Sequence, residues 1–146
     1  MKNKVERSLH YKEKASPEEE SVLVEGIITE ASKAKKVKKI TPFAFFIKDP
    51  NRKILGGIKG TSYYGCLYVD SLWVDPTFRT KGWGGELMHA AENLGRKRNC
   101  SFVSLCTMDW EALDFYKNLG YDIEFVREGF EKESKMYLLR KKLNAL

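Results

Sequence analysis

Arg79-Thr80-Lys81-Gly82-Trp83-Gly84-Gly85 combines the residue types a chain needs to hold an anion. Arg79 and Lys81 carry positive charge, and three glycines without Cβ atoms let backbone N–H groups converge on a ligand. Directly after them, Glu86 to Glu92 has helix formers at helical spacing, so the glycines open a helix whose first N–H groups face the turn. Upstream, Tyr68 to Val74 is β-branched and aromatic enough for a buried strand, which Asp75-Pro76 ends by removing a backbone donor. Strand, glycine-rich turn and helix N-terminus in that order predict a pocket for a phosphate-bearing cofactor.

Other anion-binding and catalytic patterns fail on spacing. A dinucleotide fingerprint needs a third glycine where this chain has Leu87, and no Gly-Lys-Ser/Thr occurs for a Walker-type loop. The chain has two histidines, His10 and His89, neither beside a serine or cysteine in a nucleophile motif, so a hydrolytic triad has no support. His89 reads as a surface or packing residue. Cys66, Cys100 and Cys106 are odd in number and lack metal-ligand spacing, which argues against disulfides and zinc.

The elements that position the turn follow from the rest of the chain. At 146 residues and 42% hydrophobic, it has the length for one domain, 1–146, with a full core. The net charge of +6 favours anionic ligands and is modest for a nucleic-acid binder, so no nucleic acid is expected. No apolar run is long enough for a membrane span, and the start lacks a signal-peptide centre; a cytoplasmic protein without membrane contact is expected. The basic run Lys33 to Lys39 reads chiefly as a solvated helix end, with contact to an acidic partner as the second reading.

In chain order, Val5 to His10 is expected to form a short edge strand. Ser16-Pro17-Glu18-Glu19 is a capping box opening an amphipathic helix, with Leu23, Val24, Ile27, Ile28 and Ala31 on one face laid on something apolar. Gly26 inside it suggests close packing or a bend. Phe43 to Ile47, Lys53 to Tyr64 and Cys66 to Val74 predict an antiparallel meander, with glycines 56, 57 and 60 marking a bulge or close backbone approach. After the turn come a helix to about Arg98, a buried strand over Ser101 to Cys106, and a helix capped by Asp109 and stopped at Gly120. Strand, helix, strand, helix is a parallel crossover, and Tyr121 to Arg127 with Lys135 to Leu143 close the chain as a hairpin. The fold class is therefore α/β, an α+β mixed sheet of about six to seven strands with about four helices.

Arg79-x-x-Gly82-x-Gly84, preceded by Val74 and Pro76 and followed by Ala112-x-x-Phe115-Tyr116-x-x-x-Gly120-Tyr121, resembles the GNAT acyl-CoA N-acetyltransferase superfamily. The resemblance runs from about Phe43 to Leu143 and places the first helix on the substrate side. It implies acetyl-CoA as cofactor, with the pyrophosphate held at Arg79, Thr80, Lys81, Gly82, Trp83, Gly84 and Gly85. It also implies that the strand before the turn splays from its neighbour and offers the backbone of Leu72, Trp73 and Val74 to the pantetheine arm.

The implied reaction is direct transfer of an acetyl group to a primary amine of a small molecule or protein, and a catalytically inactive CoA-binding or recruitment module is the alternative. Tyr116 matches the family's usual acid, which protonates the departing thiolate. Asp70, on the central strand with Tyr68, is the candidate base, with substrate orientation as its equal alternative. Tyr63, Tyr64, Tyr68 and Trp73 are candidates for the acceptor pocket. Where the family often has an asparagine contacting the cofactor, this chain has Asp109, which accepts but cannot donate. Family members often pair through the final strands, which here would make a homodimer through Tyr137 to Leu143.

Overall fold

The computed structural model describes residues 5–144, and the chain divides into two compact units, Met1–Val37 and Lys38–Leu146. In the first unit, Ser16 caps helix α1 (Pro17–Ala34): its Oγ accepts from the Glu19 amide at 3.2 Å while the Glu19 carboxylate accepts from the Ser16 amide at 2.8 Å. Lys12 also pairs with that carboxylate, and both contacts hold the Glu19 carboxyl below its ordinary range, the Lys12 contact most. The expected capping box is thus present. No residue of α1 is buried, however, and Val22 and Leu23 stand 69% and 66% exposed. The unit contains no other helix or strand among its described residues against which the apolar stripe could pack. A methyl group at Gly26 would meet nothing within 4 Å, so close packing does not explain that glycine. Val5 to His10, expected as an edge strand, finds no ladder partner and has no regular structure.

The second unit is built on a six-stranded mixed sheet. Its strands are β1 (Thr41–Lys48), β2 (Ile54–Tyr63), β3 (Cys66–Val74), β4 (Phe102–Met108), β5 (Asp122–Arg127) and β6 (Met136–Lys142), in spatial order β1-β2-β3-β4-β6-β5. The meander and the closing hairpin are antiparallel, whereas β3 and β4 run parallel, as a crossover through helix α2 (Trp83–Lys97) requires. Helix α3 (Leu113–Asn118) bridges β4 and β5. With two single 3-10 turns, this gives three α-helices among the described residues, close to the expected number.

Apolar residues from the sheet (Ile58, Leu67, Val69, Val103, Leu105, Leu139) and from α2 (Leu87, Met88, Ala91) share one core. Full burial of each larger side chain stabilises the fold by roughly 1.5–3 kcal/mol. α2 lies so close to the sheet that a Cβ at Gly95 would stand 2.8 Å from the Leu143 side chain. Near the core, Glu92 is 1% exposed and receives the Lys141 ammonium at 2.9 and 3.1 Å, with His89 at 3.7 Å on the solvent side. A charge buried that far is tolerated because it is paired.

Two backbone features in the meander prepare the site. β2 and β3 slip register between Lys59 and Gly60, leaving Asp70 as an extra residue between Val69 and Ser71. Gly60 is required there, since a Cβ would lie 1.9 Å from the Tyr68 carbonyl oxygen. More consequentially, β3 pairs with β4 only from Cys66↔Phe102 to Val69↔Leu105. β3 then continues alone on that side to Val74, while β4 stays with β6 through Met108. The two parallel strands part like a V.

Candidate active site

The open end of the V is a cleft of about 730 Å³ between the end of β3, the turn into α2 and the segment from Trp110 to Tyr116. Leu72, Trp73 and Val74 form one wall. With no neighbouring strand on this side, the backbone groups that alternate away from β2 have no ladder partner there, and of these the Val74 carbonyl accepts from Arg79. Leu72 and Val74 pack on the core with their side chains, and Trp73 is half exposed.

The turn is rigid before any ligand enters. Asp75 donates its amide to the Leu55 carbonyl at 2.8 Å and accepts from the Thr77 amide at 2.9 Å, fixing the short 3-10 turn Pro76–Phe78. Arg79 folds back so that its Nε donates to the Val74 carbonyl at 2.8 Å, which ties strand end to turn and leaves the terminal nitrogens free of that bond. Thr80 and Gly82 take positive φ, 65° and 83°. Phe78 stacks on Trp83 at 5.1 Å, the two rings nearly parallel.

Gly82 caps α2 without any side-chain hydrogen bond, so the first-turn N–H groups are left for solvent or an anion. The three glycines have different reasons. Gly82 needs its left-handed φ, and Gly84 allows α3 to approach, since a Cβ there would sit 3.1 Å from Phe115 Cζ. Gly85 has neither reason: its φ is ordinary for a helix, and a Cβ would meet nothing within 4 Å. A helix that keeps a glycine with free space around it gives up about 1 kcal/mol relative to alanine. The open space beside Gly85 fits a ligand lying against the first turn of α2.

Tyr116 reaches the opposite wall from α3. It is 7% exposed, its ring packs edge-on against Phe115 at 5.1 Å and Tyr121 at 6.0 Å, and its phenol is pushed up to about 12, by burial first and then by the Glu111 carboxylate. It therefore remains a protonated donor at neutral pH. Behind it, the Tyr121 hydroxyl is buried without a hydrogen-bond partner among the described residues. Burial, with Glu92 next, pushes that phenol up as well.

Most predicted residues therefore meet in this one cleft: Leu72, Trp73, Val74, Arg79, Thr80, Gly82, Trp83, Gly84, Gly85 and Tyr116 all line it. Lys81 stands exposed on the turn and does not line it. Asp109 does not cap α3, which starts four residues later behind Ala112, and it is not among the residues that line the cleft; its carboxylate accepts from the Lys135 amide at 3.2 Å and its own amide donates to the Lys135 carbonyl at 3.0 Å. Glu111 takes the local bonding role instead, accepting from the Met108 amide at 3.1 Å.

Asp70 also lies outside the cleft. As the extra residue of the bulge, it is half exposed and pairs with Lys59 at 2.6 Å, beside a shallower hollow under Pro42 to Ala44. Tyr68 is close by, its phenol pushed up by burial, then by Cys106 and Asp70. Tyr63 and Tyr64 sit at the other end of β3, away from the cleft. Phe78, Trp110 and Glu111 line the cleft without a signal in the sequence, and Ala112 and Phe115 of the downstream motif line it beside Tyr116. Because α3 begins at Leu113 and not after Asp109, Trp110 and Glu111 belong to the loop that walls the cleft.

A model of the acetyltransferase (GNAT) family matches residues 10–121. The chain belongs to this family. An acetyltransferase of Agrobacterium fabrum is 33% identical over 75 residues, 51% of this chain and 55% of the relative. The chain spans about half the length of the curated relatives it matches. An acetyltransferase structure from Bacillus cereus superposes with a TM-score of 0.75 at 28% identity, covering 92% of this chain and 98% of that one. A Bacillus anthracis protein solved in complex with acetyl coenzyme A has the same fold, with a TM-score of 0.65 at 19% identity over 73% of this chain and 65% of that one. Acetyltransferases thus surround this chain in both sequence and fold, and the V with its glycine turn is where GNAT chemistry is to be sought.

Proposed function

We propose that this GNAT protein is an N-acetyltransferase that uses acetyl-CoA and passes the acetyl group directly to a primary amine. The observation that carries the reading is the convergence of unpaired β3 backbone, an uncapped glycine-rich helix start and a protonated buried tyrosine on one cleft. Acetyl-CoA, when bound, supplies an activated thioester. The first-turn N–H groups of α2 and the free nitrogens of Arg79 hold its pyrophosphate, and the space at Gly85 admits it. The cleft-side backbone groups of Leu72 to Val74 that β4 leaves without partners would take the pantetheine amides.

In the transfer, the neutral amine nitrogen forms a bond to the acetyl carbon and the carbon–sulfur bond breaks; Tyr116 gives its proton to the leaving sulfur, the proton shed by the amine passes to solvent, and solvent reprotonates the Tyr116 phenolate. Its high affinity for that proton keeps it charged with one at the start of every turnover. Asp70 acts on the acceptor as an orienting carboxylate: its present partner, the Lys59 ammonium, has the chemistry of a protonated substrate amine. The test is a calorimetric titration with acetyl-CoA, followed by thiol release on a panel of amines. Binding with amine-dependent release supports the reading; no binding at millimolar acetyl-CoA, or binding without release on any amine, removes it.

A further inference from the structure

A second pocket lies at the far end of β3, roughly 30 Å from Val74 at the usual rise per residue. It has a volume of about 240 Å³ between the Tyr64–Gly65 turn, the start of β1 and the C-terminal end of α2. Lys38, Lys39 and Arg98 line it, and no carboxylate does. Among the described residues, none of the three is in an ion pair.

Their hydrogen bonds go to neutral groups. Arg98 donates to the Thr41 carbonyl at 3.0 Å, the Pro42 carbonyl at 3.2 Å and Ser62 Oγ at 3.1 Å, and the Lys38 ammonium donates to the Arg98 carbonyl at 3.2 Å. Bonds of this kind hold the side chains in place without cancelling their charge. Two cations held in this way, Lys38 and Arg98, therefore share a small concave space with the Lys39 ammonium, and an anion is the species that would relieve their repulsion.

The turn above them supplies a second, separate observation. Tyr64 and Gly65 have φ of 50° and 85°, the two-residue hairpin geometry in which asparagine, aspartate or glycine normally takes the first place. A tyrosine held there is conformationally costly, and its ring stands edge-on to Tyr63 at 5.7 Å along the pocket wall. An aromatic wall over a cationic floor fits an anion carried on a ring. The volume falls below the roughly 300 Å³ that takes a whole small ligand, so it suits one group and not a nucleotide. A phosphate monoester, with a charge of about −1.5 to −2 and three acceptor oxygens, matches three cations better than a carboxylate does.

We propose that the pocket formed by Lys38, Lys39, Arg98 and Tyr64 binds a phosphate monoester. This does not rest on the acetyltransferase reading. The test is an amide chemical-shift titration of the full chain at constant ionic strength with phenyl phosphate, inorganic phosphate and a short phosphotyrosine peptide. Saturable shifts at Tyr63 to Gly65 and Cys100 are expected, with phenyl phosphate tighter than inorganic phosphate. A peptide tighter than phenyl phosphate makes the source a modified protein side chain, and equal affinity makes it a free ester. Lys38→Ala combined with Lys39→Ala, both exposed and remote from the core, should weaken binding at least tenfold with an unchanged thermal midpoint. Non-saturating shifts, shifts confined to Lys81 to Gly85, or the same affinity in the double variant would overturn the proposal.

Discussion

Gly85→Ala separates a glycine kept for a ligand from one kept for the fold. The added methyl meets no protein atom within 4 Å, and the position is the third residue of α2, so nothing in the fold opposes it. Alanine in place of a helical glycine stabilises by about 0.5–1 kcal/mol, through the unfolded chain as much as the helix. For a chain of this size that raises the thermal midpoint by roughly 1–4 °C. The same methyl occupies the space beside the first-turn N–H groups. Loss of one charge-assisted hydrogen bond to phosphate costs about 1.5–3 kcal/mol, which is roughly tenfold or more in the dissociation constant for acetyl-CoA. Thermal melts by circular dichroism and calorimetric titration give both numbers on one preparation. Gly84→Ala is the contrast, since its Cβ would press Phe115 at 3.1 Å and should lower the midpoint. A Gly85→Ala variant that is more stable and binds acetyl-CoA as before would refute the argument that the open space belongs to a ligand.

Tyr116→Phe should lower kcat by roughly 10²–10⁴ while leaving acetyl-CoA affinity within a factor of two or so, measured by steady-state kinetics beside calorimetry; lost affinity at normal turnover would assign Tyr116 to positioning. Because its phenol is raised from 10.0 to about 12, the folded state binds that proton more tightly than the unfolded chain does. The resulting stability, on the order of 2–3 kcal/mol, is fully present below pH 10 and lost between pH 10 and 12, so urea midpoints of Tyr116→Phe should fall less steeply over that window. Lys141→Met strips Glu92 of its partner and should cost about 3–5 kcal/mol in denaturant unfolding, whereas Lys59→Ala, which breaks an exposed pair, should cost at most about 1 kcal/mol. If Asp70 orients the acceptor, Lys59→Ala lowers the KM for a cationic amine without changing acetyl-CoA affinity, and an unchanged KM removes that role.

What could be read from the sequence was whatever depends on local chemistry. The Arg79 to Gly85 turn, the Ser16 capping box and the close approach at Gly60 each follow from a residue type that has few other uses, and the structure has all three. Long-range geometry decided the rest. Asp109 looks like a helix cap because a capping residue before an apolar run is a local pattern; what removes it is Lys135, just before β6, which takes its carboxylate and its amide. Tyr63 and Tyr64 were grouped with Trp73 by composition, but a strand nine residues long carries them to its opposite end. Asp70 is the sharpest case. Simple alternation through Cys66 to Val74 would put Asp70, Leu72 and Val74 on one face, yet the bulge inserts Asp70 as an extra residue and restores Leu72 and Val74 to the core side with Val69. One irregular residue thus sends the carboxylate out to Lys59 while the strand that follows turns its unpaired backbone to the cleft. The bulge, fixed by the lack of a Cβ at Gly60, parts the Asp70 carboxylate from the strand end that borders the cleft.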